Sequence, residues 1–439
     1  MKSLRERLRR VQGEAAPEPT PPAPAQPSLA DRLKRLGGAR AGAAGAATPA
    51  APAAPAAAAP PPTPSPARSA APSAADEAAL AARLGAEQLA PGVLRVERSR
   101  PLALAHGRCT AQPDPAAVTL LEPDAPTDPA GWVALDTETS GLAGGTGTWA
   151  FVVGLARWRA DRLVLTQYLL TRLDAEAELL AMLGADLADA ALLLSYNGKA
   201  FDVPLLAARL RLARLPDATA GLAHLDLLHP VRRAFSGVWP DCRLASVEAR
   251  LLGHRRADDL PGAEAPAAWL SWLRRGDGRR LGAVLAHNRD DLISVAALPA
   301  RLAAAHHAPA ALGADVLRIA RWRLAAGDPA GARRLLAADA SALDDAARQL
   351  LARLHARAGD WPAALALWER LAAAGDPAAL EALAKHYEHR AKDPVQALAH
   401  ARRLPPGPAT ERRCQRLAYK ARATCLSKHL LIEPPDECH

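Results

Sequence analysis

The clearest patterning of apolar and polar positions begins at residue 131. Apolar-rich runs at 131–137, 148–158 and 162–170 have the length and residue types of strands. The Gly-rich stretch "SGLAGGTGT" separates the first two, and a tight turn separates the second from the third. A helical pattern fits 174–188. The continuous apolar run "ALLLSYN" (191–197) reads as a buried strand. A helix over 200–213, a short strand over 222–227 and further helices to about 304 follow. Three meandering strands and then alternating helix and strand predict an α/β mixed sheet with flanking helices. Upstream, "DEAALAARLGAEQLA" reads as a helix and "GVLRVERSRPLAL" as a strand, so folded structure is expected to begin near Ala75.

The last third follows another rule. "AGDPAGARRLL" (326–336), "AGDWPAALALW" (358–368) and "AKDPVQALAHA" (391–401) align without gaps at offsets of 32 and 33 residues. Each follows a helical segment. Paired helices at this period resemble tetratricopeptide repeats. The aspartate is expected to cap the second helix of each pair. Ala332, Ala364 and Ala397 are small enough for close helix approach.

Residues 39–74 are almost entirely Ala, Pro, Gly, Ser and Thr, a composition expected to be disordered. "SLRERLRRV" (3–11) and "SLADRLKRL" (28–36) share one basic amphipathic pattern, read either as a solubilising tail or as a repeated docking peptide. Residues 1–74 carry a net charge of +6 out of +9, so the rest of the chain is only mildly basic. Its charge alone does not establish a nucleic-acid-binding surface. The five cysteines are scattered without a CxxC pair, which points to free thiols. The N-terminus has no apolar run of signal-peptide type, and the Ala-rich run 296–314 contains Arg301, His306 and His307. The expectation is a cytoplasmic protein with no membrane partner.

Candidate chemistry sits in three stretches. "GWVALDTETSGL" ends a strand with Asp136 and Glu138 on one face, because side chains alternate along a strand. "YNGKAFDVPLL" (196–206) places Asp202 in an apolar setting where an unpaired carboxylate is costly. "LAHNRDDLISV" (285–295) puts His287 and Asp291 one helical turn apart, with Asp290 pointing elsewhere. Converging carboxylates repel one another unless cations lie between them, so the set suggests a metal site.

D-x-E on a first strand, N-x-x-x-F-D after a fourth and H-x-x-x-D on a late helix resemble the DEDD exonuclease superfamily, DnaQ-like enzymes of RNase H-like fold. "ALDTETSGLAGGTGTWAFVVGL" is similar to the YprB-like RNase H-like group, whose members can carry helical repeats after the nuclease domain. The resemblance implies an RNase H-like exonuclease domain at 131–305. A disordered basic tail (1–74) and a lead-in segment packing on the domain (75–130) precede it. Tetratricopeptide-like repeats (310–404) and a C-terminal tail (405–439) follow. It implies Asp136, Glu138, Asp202 and Asp291 as ligands of two Mg²⁺ or Mn²⁺ ions, with Glu138 also orienting the attacking water and His287 as general base. His287 stands four residues before Asp291, whereas histidine-type relatives place theirs five before. Thr139, Asn197 and Lys199 are candidate substrate contacts. Arg232, Arg233 and Arg243 are candidate phosphate contacts, and Trp239 is a candidate stacking residue. The implied activity is 3′→5′ hydrolysis of single-stranded DNA or RNA ends, with the repeats free to recruit a protein partner. Two alternatives remain: a nuclease-fold binding or scaffold protein acting through its repeats, and an RNase H-type endonuclease.

Overall fold

Among the described residues, seven strands form one mixed sheet. The computed structural model describes residues 72–141, 147–257 and 259–429, so the basic tail and most of the Gly-rich loop lie outside the described residues. Helix α1 (Ala74–Leu84) precedes β1 (Glu87–Ala90), β2 (Val93–Pro101), α2 (Pro115–Leu121), β3 (Trp132–Thr139), β4 (Ala150–Arg159) and β5 (Arg162–Leu170). Then come α3 (Glu176–Asp186), β6 (Leu192–Ser195), α4 (Asp202–Leu212), β7 (Ala223–Asp226), α5 (Leu228–Phe235), α6 (Leu244–Val247), α7 (Ala265–Arg275) and the long α8 (Leu281–His307).

The strand order is β1-β2-β5-β4-β3-β6-β7. β3, β6 and β7 run parallel, and the remaining neighbours are antiparallel. This is the mixed α/β sheet the patterning predicts, extended at one edge by β1 and β2. The helix expected over "DEAALAARLGAEQLA" stops short of that span. Gly85 takes a left-handed φ of 61° and closes α1, and Glu87–Ala90 pairs with β2 instead.

β3 shows how the sheet is sandwiched. Val133 and Leu135 enter one apolar cluster with α3, α4 and α7, while Trp132 and Ala134 enter a second with α2 and α5. Helix α8 serves both clusters. Leu281, Val284 and Leu285 belong to the first, and Leu292, Val295, Leu298 and Leu302 to the second. That run past the central strands carries polar residues of α8 to the end of β3.

The C-terminal part is helical: α9 (Val316–Ala325), α10 (Pro329–Ala337), α11 (Asp345–Arg357), α12 (Trp361–Ala373), α13 (Pro377–His389), α14 (Pro394–Ala401) and α15 (Pro408–His429). Asp328, Asp360 and Asp393 each cap the second helix of a pair, accepting from Gly331, Ala363 and Gln396 backbone N–H groups. Ala332, Ala364 and Ala397 are wholly buried. The first pair docks on the sheet domain: Asp315 N–H donates to Ala234 O at 2.7 Å, and the Arg233 guanidinium stacks on Trp322 at 4.2 Å. No described helix is long and apolar enough to cross a membrane. Cys109, Cys242 and Cys414 are unbridged.

The extended edge depends on one buried acid. Glu77 of α1 accepts from Gly92 N–H at 2.7 Å and from the Thr171 hydroxyl. Glu77→Ala leaves both donors unsatisfied, a loss of about 1–3 kcal/mol. Urea unfolding is expected to show that loss, and hydrogen exchange should place the weakened protection in β1 and β2.

Candidate active site

Asp136 and Glu138 lie at the C-terminal end of β3, between β4 and β6. Thr137 points to the opposite face, where its hydroxyl donates to Asp202 Oδ1 at 2.5 Å. Asp202 opens α4. The loop leading to it is shaped by Asp226, whose buried carboxylate accepts from the backbone N–H groups of Asn197 (2.7 Å), Lys199 (3.0 Å) and Leu228 (3.0 Å). Asn197 itself adopts φ 69°, a left-handed conformation that asparagine tolerates.

Helix α8 supplies the rest. Asn288 is fully buried and donates through Nδ2 to Asp136 Oδ2 (2.7 Å) and Asp136 O (3.2 Å). Its Oδ1 accepts from Gln167 Nε2 at 2.7 Å. Gly154 pairs with Asp136 across β3–β4 and makes room for this amide, since a Cβ there would lie 2.2 Å from Asn288 Oδ1. Asp291 lies one turn beyond His287, with 3.7 Å between His287 Nε2 and Asp291 Oδ2. Asp290 faces away and pairs with Arg289 at 3.0 Å.

A loop between α6 and α7 closes over this face. Its Arg256 reaches Glu248 (Nε–Oε2 3.0 Å, Nη2–Oε1 2.5 Å) and also donates to Asp291. Its Asp259 Oδ1 lies 2.8 Å from His287 Nδ1. That contact orients the ring and leaves Nε2 on the side of Asp291.

The electrostatics follow from burial and crowding. Burial raises the Asp136 carboxyl well above its usual range, and the charges of Asp291, Asp202 and Glu138 raise it further. Burial lifts Glu138 to about 8; His287 opposes that rise, and Asp291 and Asp202 add to it. Burial raises Asp202 against the Thr137 hydrogen bond, and raises Asp291 against Arg256 and His287. For His287, burial disfavours the charged ring, but Asp291 and the Asp259 hydrogen bond outweigh it and raise its pKa.

Acids from α4 and α8 therefore act on both acids of β3. Among the described residues they do not form a preassembled cluster of metal ligands. The donors nevertheless fit a hard divalent cation: all are carboxylate oxygens, and a cation among them would offset the like charge that Asp202 and Asp291 exert on Asp136 and Glu138. Arg256 is the cation that now neutralises Asp291.

The expected substrate contacts have these surroundings. Thr139 Oγ1 donates into its own turn, to Gly141 O at 3.1 Å. Lys199 Nζ is 3.7 Å from Glu122. Asn197 lines a neighbouring cleft.

Residues 133–303 match the RNase H superfamily. This segment is an RNase H-superfamily domain. The chain is also 33% identical over 279 residues to the uncharacterized protein YprB of Bacillus subtilis (strain 168), a match covering 60% of this chain and 66% of that relative. The match thus spans just under two thirds of the relative's length. The YprB-like, RNase H-like reading of the sequence agrees with both comparisons.

Sequence reasoning about this RNase H-superfamily domain passed over Thr137, Gly154, Glu248, Arg256, Asp259 and Asn288. Asn288 had a signal: it is a polar residue beside His287 on the helix turn that faces the acids.

Two outcomes follow for this domain. Gly154→Ala drives a methyl into Asn288 and to 2.8 Å from Leu292 Cδ1, and is expected to destabilise by about 1–3 kcal/mol in thermal unfolding. In EDTA, a carboxyl with a raised folded pKa stabilises at low pH and loses that contribution as pH rises. Scanning calorimetry of the metal-free protein should therefore show Tm falling between about pH 4.5 and 8 on account of Glu138, with a smaller fall in Glu138→Gln.

Proposed function

We propose that the protein is a divalent-metal-dependent nuclease, acting as a 3′→5′ exonuclease on single-stranded DNA or RNA. What supports this reading is that β3, α4 and α8 bring Asp202 and Asp291 near enough to raise the pKa values of both Asp136 and Glu138 at the end of β3. An RNase H-superfamily domain around them supports nuclease-type chemistry.

In this reading Asp136, Glu138, Asp202 and Asp291 hold two Mg²⁺ or Mn²⁺ ions, which when bound supply charge neutralisation at the scissile phosphate and activation of water. Glu138 orients the water. His287 accepts the water's proton at Nε2 while Asp259 holds Nδ1–H. Asn288 fixes the Asp136 carboxylate, and Thr137 fixes that of Asp202. The helical repeats recruit a partner or guide the strand.

Arg256 favours a second reading. A guanidinium already seated on Asp291 suits a nuclease-fold binding protein that works mainly through its repeats.

The experiment is a cleavage assay on 5′-labelled single-stranded DNA, single-stranded RNA and an RNA–DNA hybrid, with Mn²⁺, Mg²⁺ or EDTA. The expected result is a metal-dependent ladder shortening from the 3′ end. Asp136→Asn and Asp291→Asn should abolish it while retaining the circular dichroism spectrum of the wild type. His287→Ala is expected to slow turnover by about 10²–10⁴, and Asp259→Asn by about 10–100. Internal cuts would replace the exonuclease by an RNase H-type endonuclease. Wild-type turnover in Asp136→Asn would sink the metal-site assignment. No cleavage of any substrate would favour the binding protein.

A further inference from the structure

A second feature lies at the same edge of the sheet as the acids. Because β3, β6 and β7 are parallel, their C-terminal ends share that edge, where open α/β sheets take ligands. Outside β6 and β7 is a cleft of about 560 Å³, lined among others by Tyr196, Asn197, Arg232, Trp239 and Arg243. Asn197 is five residues before Asp202, so the two backbones are at most about 18 Å apart.

The cleft is built rather than incidental. The Tyr196 hydroxyl donates to Cys242 O at 2.5 Å and pins the 236–244 segment over the end of β6. The Trp239 backbone N–H donates to Phe235 O at 2.8 Å. The Trp239 ring stacks on buried Phe235, with centroids 3.9 Å apart and planes 9° from parallel. Arg250 stands 5.6 Å from the same indole. The indole is thus fixed before any ligand arrives, which limits the entropy lost on stacking.

Its charges are arranged for an anion. Arg232 and Arg243 are exposed, and neither makes an ion pair among the described residues. The carboxylate in the lining, Asp241, accepts instead from Arg243 backbone N–H (3.0 Å) and from the Ser246 hydroxyl (2.6 Å). The combination of a fixed indole, two exposed guanidiniums and an asparagine matches what single-stranded nucleic acid presents: a π-face, phosphate charge and base-edge polar groups.

We propose that this cleft binds one nucleotide of a single strand, a few positions from the bond cleaved at the acids, with the base on Trp239 and the phosphates on Arg232 and Arg243. The proposal rests on the nuclease reading for its direction along the strand, but its binding chemistry stands alone. It gives the domain a grip on the strand at a distance from the cut, so that cleavage favours chains long enough to reach the cleft.

The test is equilibrium binding of fluorescein-labelled single-stranded 12-mers, DNA and RNA in separate arms, to the full chain in EDTA across a salt series. Trp239→Ala is expected to weaken binding about tenfold or more. Arg243→Gln, at an exposed position and so without risk to the fold, should lower the slope of log Kd against log salt by about 1. Unchanged affinity and slope in both variants, or no binding by the wild type, overturns the proposal. The same proteins are then assayed for cutting. Loss of binding in the variants with no wild-type cleavage keeps the cleft and removes the nuclease reading. Wild-type cleavage with unaltered binding in the variants does the reverse.

Discussion

The contact on which the site depends is a hydrogen bond made in the space that a glycine leaves on one face of the sheet. Asn288 reaches Asp136 because Gly154, its cross-strand neighbour, has no side chain in the way. The amide is completely buried, and both its ends are used, Nδ2 on Asp136 and Oδ1 on Gln167. Buried polar groups are tolerated when satisfied in this way. The same bond fixes the register of α8 against β3 and β4. That register in turn decides where His287 and Asp291 stand relative to Asp136 and Glu138.

The acids at this point work against folding, since burial and like charge both raise their pKa values. The surrounding structure offsets that cost locally. A buried chain of contacts runs from His106 to Ser294 at 2.7 Å, from Ser294 to Glu248, and from Glu248 to Arg256 and so to Asp291. Glu248 holds Arg256, and Arg256 both tempers Asp291 and anchors the loop that carries Asp259. A single guanidinium therefore couples the charge state of the site to the position of the group that orients His287.

How much of this was legible in the sequence depended on how local each signal was. The long apolar runs of β3, β4, β5 and β6 announced themselves, because a strand buried on both faces carries little else. The capping aspartates and buried alanines of the helical pairs were equally visible, each acting within its own turn. β1 was not: "EQLA" is made of helix formers next to a helix, and only its pairing with β2 makes it a strand. Asp136, Glu138, Asp202, His287 and Asp291 could be named because carboxylates in apolar runs are conspicuous. Gly154 and Asn288 lie 134 residues apart and have meaning only as a pair. Arg256 was hidden by abundance, being one arginine in an arginine-rich chain. Asp259 sits in an irregular loop, where no periodicity marks it.

The two ends of the sheet carry a further consequence. β1 and β7 are each four residues long, and β1 exposes Glu87 and Gln88. A sheet of this width with long apolar borders would offer its unpaired backbone groups to any other extended chain. Brief borders, one of them charged, leave too little ladder for a stray strand to adopt. A chain so rich in alanine and leucine can therefore keep its widest hydrogen-bonded surface from seeding intermolecular pairing, and does so at the sheet margin rather than through the core.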